Sequence, residues 1–442
     1  FTRLAGVADL FLVHDRDIRT RVDDSILRVT QHPKLAKPVT TFIRRARGYA
    51  PYPVQLPEPV RPVLACGAEL KSTIALGRNA AVFLSQHIGD LTNPATLDAH
   101  ADAASQMAQL LTGQPAAIAC DLHPQCHSAA LRSAALPVVR VQHHHAHMAA
   151  CMAENGLRGR TIGVILDGTG YGTDGTIWGG EFLLGDCAGF TRAAHLRRFR
   201  LPGGDAAVMQ PFRVAVALLH DALGEAWQTL PLPFAERLGN GRAMLLQRMC
   251  EAGINAPITT SMGRLFDGVA ALLGLCPVIE YEAQAAIELE GLLQRDLHPA
   301  EPLPFVVSEQ DGVLEIDHRP LVRAVADAIG HGGIDGAAVS RRFHSSVVAM
   351  IVAMSARLAA TAGTRSVVLS GGVFMNEFVL ANVIVGLREA GLEPHWHGKV
   401  PPNDGGISLG QVLVADARLG SAAVDGRSAD SEETPPLRLP TG

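Results

Sequence analysis

Two histidines one helical turn apart are the residues of this sequence best spaced to bind a metal ion. The segment Gln142–His147, with the sequence QHHHAH, precedes small apolar residues that predict a helix, so His143 and His147 share one face. Imidazoles four residues apart on a helix can bind the same ion. Two ligands are too few for a tight site, and two aspartates that follow buried strands, Asp167 and Asp404, are the oxygen donors expected to complete it.

The alternative interpretation of these histidines is a hydrogen-bonded polar cluster at the start of a helix. His144 and His145 point away from the shared face and are expected next to the site or at the surface. A second group of soft ligands lies in Cys120–His127, with the sequence CDLHPQCH, but its spacing matches no zinc-binding pattern and Pro124 stiffens its middle. This segment is therefore predicted to be a loop at a strand end.

A glycine-rich hairpin, Asp167–Gly175, is the second chemical signal. It is not a Walker loop, because no Gly-Lys-Ser/Thr follows, and it is not a dinucleotide fingerprint, because a strand rather than a helix continues after it. Its glycines allow the backbone N–H groups to approach a phosphate closely. The alternative is a plain tight hairpin.

The hairpin belongs to a pattern that occurs more than once. Residues Val63–Leu76 run strand, glycine turn, Lys71-Ser-Thr, strand, and residues Ile162–Trp178 repeat that layout. A third strand–turn–helix unit, Ser366–Asn376, contains Ser370, Gly371 and Gly372. Together they predict an internally duplicated α/β protein with a nucleotide between two lobes, in which Lys71 neutralises a phosphate. Three unrelated strand–turn units are the alternative.

The elements that must position these residues include helices as well as strands. A helix is expected to begin at Glu377. Apolar periodicity predicts further helices at Leu97–Leu111, His143–Asn155, Phe212–Leu223, Ala243–Ala252, Leu265–Leu275, Ala283–Arg295 and Val339–Thr361.

Composition excludes several classes of protein. The chain has 442 residues, of which 48% are hydrophobic and 18% charged, which is inconsistent with wholesale disorder. A net charge of −5 provides no general attraction for nucleic acid or an anionic membrane. No run of 18 apolar residues occurs. Seven scattered cysteines without a Cys-x-x-Cys pair predict reduced thiols in a cytoplasmic enzyme.

The two ends of the chain differ from the middle. Residues 1–60 contain many arginines and end in a proline-rich stretch that predicts a linker. The opening Phe1-Thr-Arg-Leu4 indicates a processed chain or one that begins inside a longer protein. Residues 416–442 are expected to form a disordered tail, because Ser421–Gly442 is polar and lacks apolar periodicity.

Several long motifs together resemble the HypF carbamoyltransferase family. The resemblance extends in order from about residue 1 to residue 415 and rests on these segments: Gln142–His147, Leu166–Gly172, Trp178–Glu181, Gly263–Asp267, Tyr281–Glu288, Ser370–Asn376 and Asn403–Gln411. Residues 11–28 and 44–51 look like the C-terminal part of a YrdC-like domain. In HypF that domain precedes the large domain, whereas in the antibiotic-type O-carbamoyltransferases it follows.

The resemblance implies a fold. It is a duplicated, two-lobed α/β domain of the actin/Hsp70/sugar-kinase (ASKHA) superfamily, related to the tRNA threonylcarbamoyl-transfer enzymes, with a short N-terminal α+β YrdC-like remnant. The expected units are a YrdC-like remnant with linker at 1–60, lobe I at 61–160, and lobe II at 161–415 with a return to lobe I. The acylphosphatase-like domain and the cysteine-rich zinc fingers of full-length HypF are not found in this sequence.

The resemblance also implies roles for individual residues. Its metal ligands, two histidines and two aspartates, correspond to His143, His147, Asp167 and Asp404. The phosphate and adenosine of the nucleotide are expected near the following residues: Lys71, Gly168, Thr169, Gly170, Gly371, Gly372 and Asn376. Lys71 and Asp167 are the residues expected to take part in catalysis. Imidazole with carboxylate suits iron or zinc equally, and a magnesium ion is a further candidate beside ATP.

The implied reaction begins with carbamoyl phosphate and ATP, which give carbamoyl-adenylate. The carbamoyl group then passes to the C-terminal Cys of the partner HypE, on the route to the cyanide ligands of NiFe-hydrogenase. Because the acceptor thiolate comes from outside, no cysteine of this chain need be the nucleophile. No nucleic-acid or membrane partner is expected.

Three other functions are alternatives to carbamoyl transfer to HypE. An O-carbamoyltransferase would use the same site on a small-molecule hydroxyl, so acceptor identity separates the two. A non-catalytic nucleotide-binding scaffold is disfavoured, since a switch needs only nucleotide and a hard cation and not a histidine pair. tRNA modification is disfavoured by the net charge.

Overall fold

The computed structural model describes residues 1–111, 114–131, 135–234, 238–330 and 335–425. The strands within these ranges are β1 Ile26–Thr30, β2 Val39–Arg44, β3 Val54–Val60, β4 Val63–Ala65, β5 Ala75–Leu84, β6 Ala117–Asp121, β7 Val138–Val141, β8 Thr161–Tyr171, β9 Ile177–Gly185, β10 Phe190–Leu196, β11 Phe199–Arg200, β12 Ile258–Thr259, β13 Val306–Gln310, β14 Val313–Asp317, β15 Ser366–Ser370 and β16 Glu393–Trp396. The α-helices are Pro94–Leu110, His143–Glu154, Asp205–Met209, Pro211–Leu223, Asn240–Ala252, Met262–Leu272, Gln284–Gly291, Arg319–Gly330, Gly336–Ala362, Glu377–Glu389 and Ile407–Asp425.

Two mixed sheets form the body of the molecule, and their strands are connected in a similar way. In the five-stranded sheet the order is β3-β5-β4-β6-β7, where β4 is antiparallel to β5 and parallel to β6. In the nine-stranded sheet β8 is likewise antiparallel to β9 and parallel to β15, within the order β10-β9-β8-β15-β16. Each sheet therefore has an antiparallel hairpin followed by parallel strands. The glycines Gly168–Gly170, predicted as a turn, lie inside β8 where its pairing with β9 is irregular.

Two helices connect the sheets by packing on the opposite one. The helix His143–Glu154, called the histidine helix below, follows β7 of the five-stranded sheet, yet its Met148 packs with Ile165 and Val368 of the nine-stranded sheet. The helix Ile407–Asp425, called the Ile407 helix, follows β16 and packs on the five-stranded sheet. The two helices come into direct backbone contact at Gly410 of the Ile407 helix, which has no side chain to separate it from Ala146 of the histidine helix. The sheets are thereby held face to face at the point where the two helices cross.

The N-terminal residues form a small hairpin that packs across this body. Strands β1 and β2 pair antiparallel, and Val39 is buried in the core of the nine-stranded sheet. Arg28 Nη1 donates to Glu290 Oε1 and to the Met375 carbonyl, each at 3.0 Å. The hairpin is therefore attached to the helical side of the nine-stranded sheet.

Two predicted boundaries are wrong. The proline-rich stretch is not a linker, because Val54–Val60 forms strand β3 at the edge of the five-stranded sheet, paired with β5. Prolines suit an edge strand, where one side of the backbone has no ladder partner. The predicted tail began at residue 416, but the Ile407 helix extends to Asp425. Residues 426–442 lie outside the described residues.

Most predicted helices are present with shifted ends. The helix expected at Ala283–Arg295 is shorter and covers Gln284–Gly291, whereas the one expected to begin at Glu377 does so. The helix Gly336–Ala362 is long and apolar enough to cross a membrane by length and composition. In this fold it is a core helix, because Phe343 and Met350 are fully buried and Phe343 packs edge-on against Phe266 at 4.8 Å.

Candidate metal centre

The first turn of the histidine helix delivers two buried imidazoles to the crevice between the sheets. Gln142 caps the helix, because its side-chain oxygen accepts a hydrogen bond from the His145 N–H at 2.8 Å. His143 and His147 are 6% and 1% exposed, and both direct Nε2 to the same point. The four-residue spacing that predicted a shared face is thus realised by a capped helix end.

Two aspartates approach these imidazoles, Asp167 from strand β8 and Asp404 from the segment before the Ile407 helix. Asp167 Oδ2 lies 3.3 Å from His143 Nε2 and 3.2 Å from His147 Nε2. Asp404 Oδ1 lies 3.7 Å from His143 Nε2 and 3.6 Å from His147 Nε2. The four donor atoms all lie within 4.8 Å of one another, and the structure brings together the residues chosen from the sequence. Among the described residues this is the one cluster of three or more such donors.

The outer nitrogen of His143 is held by a residue that the sequence analysis did not select. His143 Nδ1 lies 2.9 Å from Oδ2 of Asp121, which is buried at the end of β6. A hydrogen bond from Nδ1–H to this carboxylate leaves the lone pair of Nε2 facing the cluster. Such a carboxylate–histidine pair is the usual support of a metal ligand.

The outer nitrogen of His147 is held by a longer series of hydrogen bonds. His147 Nδ1 lies 3.1 Å from Ser370 Oγ, which lies 2.8 Å from His397 Nε2. His397 Nδ1 lies 3.0 Å from Glu154 Oε2. If every hydrogen bond runs toward the Glu154 carboxylate, His147 carries its proton on Nδ1 and presents a bare Nε2 to the cluster. Three buried groups, Ser370, His397 and Glu154, therefore fix the tautomer of one ligand.

The electrostatics of the cluster favour a cation. Burial opposes a charge on His143, but hydrogen bonds to Asp121 and Asp167 outweigh it and raise the pKa of His143 well above its usual range. Burial likewise opposes a charge on Asp167, yet its hydrogen bonds with both histidines hold the pKa of this carboxyl well below its usual range. Positive charge is thus stabilised between the carboxylates, where a metal ion would replace the proton.

The glycines of the two neighbouring turns make room for the cluster. Asp167 Oδ1 accepts hydrogen bonds from the Gly168 N–H at 2.8 Å and the Gly372 N–H at 3.1 Å, so Gly372 orients a ligand side chain. A side chain at Gly170 would meet His143 Cδ2 at 2.8 Å. Gly371 has φ +101° and packs against the Leu166 backbone, a conformation that favours glycine. Thr169, between the hairpin glycines, is exposed.

Two residues predicted to contact the nucleotide have other partners. Lys71 Nζ forms an ion pair with Glu282, and no contact of Lys71 with the four-residue cluster occurs within the described ranges. Asn376 caps the helix Glu377–Glu389 by accepting from the Val379 N–H at 3.0 Å, and its amide lies 3.0 Å from His344 Nε2. Asn376 therefore has a structural role that its place before a helix could have indicated.

The neighbouring histidines differ from expectation in part, whereas the cysteine-containing segment forms the predicted loop after β6. His144 and His145 are fully buried, so the surface position considered for them is wrong. His144 Nδ1 lies 3.0 Å from the Gln142 amide, and His145 Nε2 lies 2.7 Å from the Asp186 carbonyl. In the segment predicted as a loop, His127 pairs with Glu69 and Cys126 Sγ lies 3.0 Å from Ser128 Oγ.

Asp121, Glu154 and His397 are the supporting residues that sequence reasoning missed. Asp121 lies inside the segment weighed as a zinc pattern, and its position at the end of an apolar strand was the available signal. Glu154 was also recognisable, since it is the one acidic residue of the histidine helix and follows a small and apolar stretch in its last turns. His397 follows the short strand β16 and has no distinguishing pattern.

Two family models together match most of this chain. Residues 58–154 match the family described as the HypF Kae1-like domain. Residues 163–411 match the second subdomain of the family described as Carbamoyltransferase, Kae1-like Domain. The fold is therefore that of a Kae1-like carbamoyltransferase domain. The chain belongs to the HypF family.

Individual relatives show how much of a HypF protein this chain covers. The Carbamoyltransferase HypF of Synechocystis sp. is 39% identical over 428 residues, which are 93% of this chain and 54% of that protein. A Carbamoyltransferase HypF homolog of Cupriavidus necator is 41% identical over 388 residues, 85% of this chain and 96% of that protein. The crystal structure of a full-length HypF in its phosphate- and nucleotide-bound form superposes with a TM-score of 0.87 at 35% identity, covering 95% of this chain and 54% of that one. The chain thus spans about half the length of the Synechocystis relative and of the full-length HypF in the crystal.

Proposed function

We propose that this chain is a carbamoyltransferase of NiFe-hydrogenase maturation, which transfers a carbamoyl group from carbamoyl-adenylate to the C-terminal Cys of a HypE-type protein. Membership of the HypF family supports the reaction class. The observation that carries the proposal is the cluster of His143, His147, Asp167 and Asp404 in the crevice between the two sheets. An intracellular, cytoplasmic location is proposed with it, as expected for an enzyme with scattered thiols.

The four residues fit a divalent metal, iron or zinc, by donor type as well as by position. Two imidazoles and two carboxylates are the donor set that such ions take. The outer atoms of His143, His147 and Asp167 are hydrogen-bonded to Asp121, Ser370 and Gly372, the kind of support that metal ligands usually have. When bound, the ion supplies Lewis-acid polarisation of a phosphoryl or carbonyl oxygen. A magnesium ion would accompany ATP.

The chain's own residues would position the donor. Carbamate is a poor electrophile, whereas in carbamoyl-adenylate the leaving group is AMP, so stabilising the departing phosphate lowers the barrier. The turn Gly168–Gly170 and the glycines Gly371 and Gly372 lie beside Asp167, where a nucleotide would bring its phosphate. Lys71 would reach that phosphate only by leaving Glu282. Thr169 and Asn376 are further candidates for nucleotide contacts.

We also propose the finer fold assignment. The equivalent strand order of the two sheets and the exchange of helices between them support a duplicated, two-lobed ASKHA domain. The hairpin β1–β2 would be the last part of a YrdC-like domain.

Intact mass spectrometry of HypE tests the proposal. The chain is incubated with HypE, ATP and carbamoyl phosphate, and a gain of one carbamoyl group at the HypE terminal Cys is expected. His143→Ala is expected to abolish both metal binding and the gain, whereas His298→Ala, an exposed histidine away from the cluster, is the matched control.

If no gain occurs, the N-terminal half of a full-length relative is added. Rescue would identify a competent transfer domain that lacks its activator. Continued absence of transfer, together with carbamoylation of a small-molecule hydroxyl, would overturn HypE as the acceptor and favour an O-carbamoyltransferase.

A further inference from the structure

The segment Gly263–Asp267 forms the first turns of a helix that rests directly on the glycine turn beside the cluster. Ser261 caps this helix, Met262–Leu272, by accepting from the Arg264 N–H at 3.1 Å. The same hydroxyl lies 2.8 Å from the Asp167 carbonyl and 2.6 Å from the Gly168 carbonyl. A side chain at Gly263 would meet Gly168 Cα at 2.9 Å, so glycine is required for this contact. The helix start is therefore fixed next to a proposed metal ligand.

Arg264 brings a guanidinium to this place. Its side chain is only 9% exposed, and Nε and Nη1 are buried without a hydrogen-bond partner among the described residues. Arg264 Nη2 faces Gly168: a Cβ atom placed on Gly168 would lie 3.4 Å from it. A buried guanidinium with unsatisfied N–H groups is costly unless something occupies them.

The nearby carboxylate does not satisfy this arginine. Nη1 lies 3.0 Å from Asp267 Oδ2, but the geometry makes no hydrogen bond, and Oδ2 itself is buried and unpaired. Burial raises the pKa of Asp267 to about 6 despite the opposing effect of Arg264. Asp267 pairs with Nη1 alone, although an arginine can offer two nitrogens to one carboxylate. Nη2, which faces Gly168, therefore remains available to a second anion.

We propose that Arg264 binds a phosphoryl oxygen of the adenine nucleotide at the Gly168 turn, an inference that rests on the proposed nucleotide-dependent function. Guanidinium presents several N–H donors in a plane and matches phosphate oxygens better than an ammonium does. The turn provides glycine backbone on one side, the four-residue cluster lies one residue away at Asp167, and Arg264 closes the remaining side. Asp267 would keep the guanidinium oriented before the nucleotide arrives.

Calorimetric titration of the purified chain with ADP and, separately, with adenosine tests this assignment. Arg264→Met is expected to weaken ADP binding by about 10- to 100-fold, as for the loss of a charged hydrogen bond, and to leave adenosine binding unchanged. Arg264→Lys keeps the charge and is expected to lie between the two. Arg200→Met is the matched control, since Arg200 is half-buried and bonded to the Ala256 carbonyl instead.

Each outcome decides the assignment. Unchanged ADP affinity in Arg264→Met overturns it, as does an equal loss for ADP and adenosine, which would indicate a structural role. If Arg264→Met does not fold, the same comparison is made with Arg264→Lys: its affinity for ADP should be reduced and its affinity for adenosine unchanged. Because ADP binding is measured without HypE, a failure of the proposed transfer can be told apart from a failure of the Arg264 assignment. Carbamoyl transfer to HypE can be absent while ADP binding still depends on Arg264. A wild-type chain that binds no ADP overturns the assignment together with the proposed nucleotide use.

Discussion

Replacing Gly410 by alanine should damage the metal centre without touching any ligand. Gly410 lies on the Ile407 helix where it crosses the histidine helix. A Cβ there would overlap the Ala146 carbonyl oxygen and lie 2.6 Å from the Ala146 carbonyl carbon and 2.9 Å from the Ala150 nitrogen. These are backbone atoms of a helix and cannot rotate away. Ala146 is the residue before His147, so any relief of the overlap moves a ligand.

The size of the displacement follows from these distances. Ordinary contact begins near 3.4 Å, so the helices must separate by about 0.8 Å to relieve the carbon contact alone. Metal ligands tolerate deviations of about 0.2 Å from their ideal distances. Asp404 lies three residues before Ile407 and moves with that helix, whereas His143 and His147 move with the other. We expect Gly410→Ala to lower metal affinity at least about 100-fold and to cost about 3 kcal/mol of stability.

The assay is zinc or iron(II) titration, with thermal unfolding of the same samples. Gly420→Ala is the matched control, because it lies on the same helix and its Cβ would meet only the flexible tip of Arg61, at 3.3 Å. That variant should retain metal affinity. If Gly410→Ala binds the metal as tightly as wild type and unfolds at the same temperature, the account of the crossing is refuted.

Three further predictions concern the surroundings of the site. Ser370→Ala removes the hydroxyl that links His147 to His397 and should weaken metal binding about 10- to 100-fold. Ser355→Ala is the control, because it removes a buried hydroxyl that has no partner among the described residues and should leave metal affinity unchanged. Equal metal affinities of the two variants would contradict the role of the hydrogen-bonded series. Because the pKa of Asp267 is raised to about 6 in the folded protein, protonation of this carboxyl stabilises the fold below about pH 4, and this contribution is lost as pH rises through about 6. Relative to Asp267→Asn, the wild type should lose roughly 3 kcal/mol of unfolding free energy between these pH values. If denaturant titrations give the two proteins the same dependence of unfolding free energy on pH, this prediction is refuted. Burial raises the pKa of Cys126 to about 12, so Cys126→Ala should leave carbamoyl transfer to HypE measurable, and loss of transfer in a folded variant would assign the thiol a role.

The parts of the site that could be predicted are those encoded by local spacing. His143 and His147 share a face because a helix repeats every 3.6 residues, and Asp167 directly follows the apolar part of strand β8, which is visible in the sequence. Asp404 was selected because it follows two prolines and an asparagine in a turn, and its approach to the histidines depends on how the Ile407 helix packs. Fold class followed in the same way from the repeated strand–glycine–strand layout.

The parts that could not be predicted depend on contacts between distant segments. Lys71 has the residue type for a phosphate, but only the tertiary fold brings Glu282 next to it. Glu154 and His397 are 243 positions apart in the sequence, and no local pattern connects them. Strand β3 was mistaken for a linker because proline favours extended backbone in both settings, and pairing with β5 decides between them.

The crossing of the two helices explains why the cluster lies where it does. The histidine helix packs on both sheets, with Met148 against the nine-stranded sheet and Ala149 in the core of the five-stranded sheet, whereas the Ile407 helix that follows Asp404 packs on the five-stranded sheet. Asp167 and Ser370 come from adjacent strands of the nine-stranded sheet, β8 and β15. The ligand distances are therefore set by the relative position of these two helices, which share one core with the five-stranded sheet. An ion bound by the cluster consequently favours one arrangement of the two helices. The nucleotide proposed to bind beside Asp167 would favour the same arrangement, so that binding of one should strengthen binding of the other.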